Sequence, residues 1–310
     1  MKFILWFILM IGITCSRHSQ VDQPRHAYRP VVPRKPGSHE WKIAMEKLTN
    51  EQIEKFIALG YVKVENAFSR DVADSCRMIL WKAVQLEPDK PETWTQPVIW
   101  IGDLDFEPFR KAANTPFLLN AFSQLAGNNW WPRTTLGSFP IRFPSKEHAN
   151  DTGWHVDASF PGEDPNHYPE WKINIRSRGR ALLMLFLFSD VSEQDAPTKI
   201  KEGSHFDVAN LLKSEGEDGL TFMQLAQKLH HIPERNEITA TGSAGTVYLC
   251  HPFLVHAAQR HSGKAPKFMA QPALFSKNDF DIDQPIAMGC PIEKAIIKGM
   301  KSAKTTANHS

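Results

Sequence analysis

The chain has 310 residues, room for one large β-rich domain with additions or for two ordinary ones, and its apolar and charged fractions of 42% and 23% suit a globular core. A formal net charge of +2 gives no ground for reading a nucleic-acid binder. Neither a Gly-x-Ser-x-Gly elbow, a Walker loop nor a Gly-x-Gly-x-x-Gly fingerprint occurs, so hydrolase, NTPase and nicotinamide readings have no motif behind them.

Residues 1–16 set one lysine before an apolar run that ends in small residues. This is the layout of a signal peptide, and the run is short for a membrane span. Lipid attachment at Cys15 and an upstream extension of a cytosolic protein are the alternatives, and membrane contact is expected only through this segment. Residues 17–40, with Pro24, Pro30, Pro33 and Pro36 and no apolar period, read as an exposed linker. If the leader is removed, Cys76, Cys250 and Cys290 remain, an odd set that makes no disulfide framework. Asn150-Asp151-Thr152 is a formal glycosylation sequon and reads as a chance match, because a glycan there would crowd His155.

Thr49 and Gln52 form a capping box for a helix whose apolar face is Ile53, Phe56 and Ile57 and whose stop is Gly60. Tyr61 to Val64 alternates as a strand, and Ser69 caps a second helix with Val72, Cys76, Ile79, Leu80 and Ala83 at helical spacing. Thr115-Pro116 starts a third helix, striped by Leu118, Phe122 and Leu125 and ended by Gly127. Strands are expected over 134–139 and 141–143, with Arg142 either turned inward toward an acid or exposed at an edge. The segment 158–180 is an insertion in which Trp171, Lys172, Arg176, Arg178 and Arg180 make either a basic lid or a solvated loop. Residues 181–188 are a continuous apolar run, the mark of a strand covered on both faces. The span 207–231 is expected to be helical around a Glu-Gly-Glu-Asp-Gly loop, with His230 and His231 at the surface, and 268–275 alternates as a last core strand. From 293 onward the chain reads as a basic polar tail or a short surface helix.

The chemistry lies in Trp154-His155-Val156-Asp157. In a strand alternate side chains share a face, so His155 and Asp157 point together and can grip one metal ion. Far downstream an apolar strand, a corner broken by Pro252 and a second apolar segment present His256, which is otherwise an ordinary core histidine. Two histidines and a carboxylate with the remaining positions open are the ligand set of non-haem Fe(II) oxygenases.

Four stretches in order resemble the phytanoyl-CoA dioxygenase-like family of 2-oxoglutarate oxygenases. They are Leu48-Thr49-Asn50-Glu51-Gln52 with Phe56 and Gly60-Tyr61-Val62; Trp154-His155-Val156-Asp157; Glu202-Gly203-Ser204-His205; and His251-Pro252-Phe253-Leu254-Val255-His256. Together they span roughly 46–275. The resemblance implies a double-stranded β-helix (jelly roll, cupin-like) with flanking helices, an α+β domain expected over 41–292. It implies Fe(II) on His155, Asp157 and His256, with 2-oxoglutarate as co-substrate and O2 as oxidant.

The chain departs from the family at the arginine about eleven positions after the distal histidine, which is Lys267, and at a common hydroxyl position, which is Ala258. Lysine pairs with a carboxylate as a point charge and lacks arginine's fork. The candidates to hold the far carboxylate of 2-oxoglutarate are Lys267, Arg142 and Arg260, with Lys264 beside them. The implied reaction is hydroxylation of a small or lipid-like organic molecule, since the carboxylate ligand that halogenating relatives lack is present. The rivals are a non-catalytic, extracytoplasmic jelly-roll binder that keeps the metal pocket, and a cupin-like enzyme that works without 2-oxoglutarate.

Overall fold

The computed structural model describes residues 47–301; the leader, the Pro-rich linker and the final residues lie outside them. Helix α1 (Asn50–Leu59) opens with the Thr49/Gln52 capping box and closes on Gly60 in the left-handed region, φ 87°. A side chain could not replace that glycine, because a Cβ would fall 2.6 Å from His205 Nδ1. Strand β1 (Tyr61–Val64) leads to α2 (Arg70–Val84), capped by Ser69. After β2 (Val98–Ile101) and α3 (Glu107–Ala113), α4 (Pro116–Ala126) is capped by Thr115 with Pro at its first position.

The strands that follow are β3 (Phe139–Arg142), β4 (Lys172–Ile173), β5 (Leu182–Leu187) and β6 (Lys199–Lys201). Of the expected strand 134–139, only Leu136 pairs, as an isolated bridge to Leu104, before β3 begins. The expected helical span 207–231 divides into α5 (Ser204–Lys213), the short β7 (Leu220–Thr221) and α6 (Phe222–Lys228). Thr221 and Gln224 form a second capping box there, which restarts the helix. His230 and His231 are exposed.

Strands β8 (Glu237–Thr239), β9 (Val247–Cys250) and β10 (His256–Ala257) come next. The last core strand is broken in two, β11 (Met269–Ala270) and β12 (Ala273–Leu274), both on β5. Pro272 lies in the gap, where it has no N–H for the ladder and its carbonyl accepts from Met184 N instead.

All strand pairings among the described residues are antiparallel. One sheet runs β1-β9-β5-β11 with β12 beside β5; a second runs β10-β6-β8. Strand β5 shows how they pack. Leu183, Leu185 and Leu187 join Tyr248, Ile200, Ala240 and Leu254 in the core between the sheets. Leu182, Met184 and Phe186 face the other way, into the larger core covered by the helices. Both faces are covered, as the unbroken apolar run predicts.

The segment read as a basic tail or a short surface helix begins inside α7 (Pro291–Lys301), a helix that is packed and not superficial, since its Ile292, Ala295, Ile296 and Gly299 are buried at helical spacing. Its lysines mask that stripe in the sequence. At Gly299 the helix comes so near α5 that a Cβ would stand 2.7 Å from Ala209 Cβ.

Candidate metal centre

One backbone contact assembles the site. His155 and His256 are directly opposed in an antiparallel bridge, each donating its N–H to the other's carbonyl at 3.0 Å. Residues so paired carry their side chains on the same face, and Asp157 follows on that face by the two-residue period. The imidazole centroids are 4.4 Å apart. Asp157 Oδ1 lies 3.7 Å from His155 Nε2 and 3.7 Å from His256 Nε2, and one ligand atom from each residue lies within 4.8 Å of the others.

The donor set fits a metal ion. His155 Nδ1 bonds Gly153 O at 2.8 Å and His256 Nδ1 bonds Leu254 O at 3.0 Å. A carbonyl can only accept, so each Nδ1 carries the proton and each Nε2 keeps its lone pair toward Asp157. Two atoms on one ion with bonds of about 2.0–2.2 Å cannot stand farther apart than about 4.4 Å, and both 3.7 Å separations meet that limit. Burial, then repulsion from His155, pushes the His256 imidazole down to about 4, so it is neutral, the ligand form, at neutral pH. Burial would raise the Asp157 carboxyl, but Arg180, His256 and His155 together hold it below the usual range.

Two polar neighbours complete the surroundings: Gln271 went unread in the sequence, and Arg180 was read only as one residue of a basic lid or a solvated loop. Arg180, which ends the insertion, donates from Nη1 to Asp157 Oδ2 at 3.1 Å and from Nη2 to Ala158 O at 2.8 Å. The Gln271 amide nitrogen donates to His256 Nε2 at 3.2 Å, using the lone pair that a metal would take. Gln271 is a polar residue in an otherwise apolar strand segment, and that is the signal it offered. Aromatic rings flank the histidines: Phe222 lies 5.8 Å from the His155 ring, and Tyr168 lies 5.4 Å from Phe222. Two other cations of the insertion are committed to acids, Arg176 to Asp283 at 2.6 Å and Arg178 to Asp279 at 3.1 Å.

The three cations expected near a co-substrate separate. Arg142 and Lys267 form a backbone bridge and are both buried. Arg142 pairs with the buried Asp151, whose other oxygen has no partner, and Lys267 Nζ donates to Ala196 O. Burial, then the Arg142 guanidinium, holds the Lys267 ammonium well below the usual lysine range. Arg260 is exposed and committed to the carbonyls of Ser145 and Lys146, at 3.3 and 2.9 Å.

No protein-family model matches the chain, and no curated protein sequence does. Solved structures do. The non-haem α-ketoglutarate-dependent carbocyclase SnoK of nogalamycin biosynthesis superposes with a TM-score of 0.50 at 13% identity, over 74% of this chain and 84% of that one. The non-haem α-ketoglutarate-dependent epimerase SnoN of the same biosynthesis gives 0.50 at 18% identity, over 73% and 82%. HygX from Streptomyces hygroscopicus, crystallised with nickel and 2-oxoglutarate, gives 0.47 at 17%, over 74% and 86%. The chain thus has the fold shared by SnoK and SnoN, an α+β arrangement of antiparallel sheets, with two histidines and a carboxylate gathered at one point on it.

Proposed function

We propose that this protein is an Fe(II)- and 2-oxoglutarate-dependent dioxygenase that hydroxylates a small or lipid-like organic substrate. Its two larger sheets would be the walls of a double-stranded β-helix. The reading is carried by the His155–His256 bridge, which sets two Nε2 lone pairs and one carboxylate oxygen together while both Nδ1 atoms are tied to backbone. SnoK and SnoN, of the same fold, are both described as α-ketoglutarate dependent. Iron(II) held by His155, Asp157 and His256 would supply, with 2-oxoglutarate and O2, oxidation of a C–H bond coupled to release of succinate and carbon dioxide.

The other residues serve that chemistry by position. Arg142 and Lys267 lie side by side, Arg142 paired with Asp151 and the Lys267 ammonium disfavoured by burial and by Arg142, so a further carboxylate brought beside them would favour its charged form. On this reading they would hold the far end of 2-oxoglutarate, whereas Arg260 fastens the 145–146 loop. Phe222 and Tyr168 beside His155 give an organic substrate an apolar wall and keep water from the reacting carbon. The test is anaerobic addition of 2-oxoglutarate to the Fe(II)-loaded protein, followed by O2. A visible iron-to-oxoacid charge-transfer band and then succinate are expected, and Asp157→Ala abolishes both. Succinate formed equally well by that variant would overturn the assignment.

A further inference from the structure

We propose that Arg180 is a positioning residue of the metal centre: it holds the outer oxygen of Asp157 so that this carboxylate can serve a metal through one oxygen only. The inference rests on the metal reading above and adds a residue to it. Arg180 is 9% exposed, and its guanidinium straddles two neighbours in the chain, the Asp157 side chain through Nη1 and the Ala158 carbonyl through Nη2. Gripping a side chain and the adjacent backbone together fixes the rotation of the carboxylate relative to the strand that carries it. Oδ2 is thereby engaged, and Oδ1 is the oxygen that faces both Nε2 atoms.

The approach of Arg180 is built into the fold. Residues 177–180 make a tight turn in which Arg180 N donates to Ser177 O at 3.2 Å and Ser177 Oγ donates to Arg180 O at 2.8 Å. Gly179 has φ 79°, and a Cβ there would lie 2.7 Å from Ser159 O, so the turn sits hard against the chain just beyond Asp157. The result is that each of the three ligands is oriented by a partner outside the metal's reach: Gly153 O for His155, Leu254 O for His256 and Arg180 for Asp157. A carboxylate confined to one oxygen would take a single position on the ion and leave more of them open to other ligands.

The experiment uses Co(II) as the probe, read by calorimetry and by its visible absorption, on the native protein and on Arg180→Ala, Arg180→Gln and Arg180→Lys. Arg180→Ala is expected to weaken Co(II) binding by about 10–100-fold and to change the visible spectrum, because Asp157 is then able to close on the metal with both oxygens. Arg180→Lys is expected to recover part of the affinity, and millimolar methylguanidinium to recover part of it in Arg180→Ala. A merely structural ion pair would lower thermal stability without altering the spectrum of the bound ion. If Arg180→Ala does not fold, Arg180→Gln and Arg180→Lys carry the test; variants that bind Co(II) with native affinity and spectrum overturn the proposal. Failure of the native protein to bind Co(II), with His256→Ala behaving identically, would instead bring down the metal reading beneath it.

Discussion

Among the described residues two pairs of histidines lie ring beside ring inside this protein, and only one of them stands against a carboxylate. His155 and His256 stand 4.4 Å apart by ring centroids, His205 and His251 4.9 Å apart. The difference is which nitrogen the backbone takes. In the first pair the carbonyls of Gly153 and Leu254 take Nδ1, so the Nε2 lone pairs are turned together toward a carboxylate. In the second, Nε2 faces the carbonyl of Ile57 or Ile292, and His251 Nδ1 accepts from Phe253 N. His205 ties α5 to α1, and His251, just past β9, faces α7. A buried histidine is a ligand or a latch according to the partner of its other nitrogen.

The contrast can be broken from either side. The largest effect is expected at Asp157, the carboxylate the second pair lacks: Asp157→Asn keeps an acceptor for Arg180 but lowers Co(II) affinity at least about 100-fold, measured by calorimetry. Next come the histidines themselves. His256→Ala should abolish stoichiometric metal binding, whereas His251→Ala should leave metal affinity within about twofold while costing roughly 2–4 kcal/mol of stability by urea unfolding. Equal metal loss in both would erase the distinction. A third test concerns the cation cluster, where Lys267→Met is expected to weaken 2-oxoglutarate binding by about tenfold or more without changing metal affinity; the charge-transfer band titrated with 2-oxoglutarate reads it.

A smaller effect is expected from pH in the metal-free protein. Burial pushes His205 from 6.5 to about 3 and, with repulsion from His205, holds His251 well below the ordinary range. Between the two values for such a group the unfolded chain binds more protons than the folded one. Stability therefore rises with pH through that interval and is lost as pH falls through it. The urea midpoint is expected to fall steadily below about pH 6.5, and His205→Gln to flatten that decline. The smallest effect is at a cap: Thr49→Ala should cost about 1 kcal/mol and leave the metal centre untouched.

Much of the scaffold could be read directly. The caps at Thr49, Ser69 and Thr115 and the stop at Gly60 are local, since each depends on hydrogen bonds within a turn of the residue concerned. The burial of β5 on both faces followed from six consecutive apolar residues. Segments with mixed signals were harder: α7 hides an apolar stripe among lysines, and Pro272 divides a strand whose alternation looked continuous.

By itself the sequence determined that His155 and Asp157 share a face, because strand periodicity is a property of adjacent residues, and it named His256 as their partner through its setting. Only the tertiary structure decided that His256 sits opposite His155, that Arg180 reaches the Asp157 carboxylate, that Arg260 turns to the 145–146 carbonyls, and that Lys267 lies beside Arg142. Those are pairings across 23 to 125 positions, between Asp157 and Arg180, His155 and His256, and Arg142 and Lys267. They are set by sheet register and by the turn at 177–180, and no local spacing encodes them.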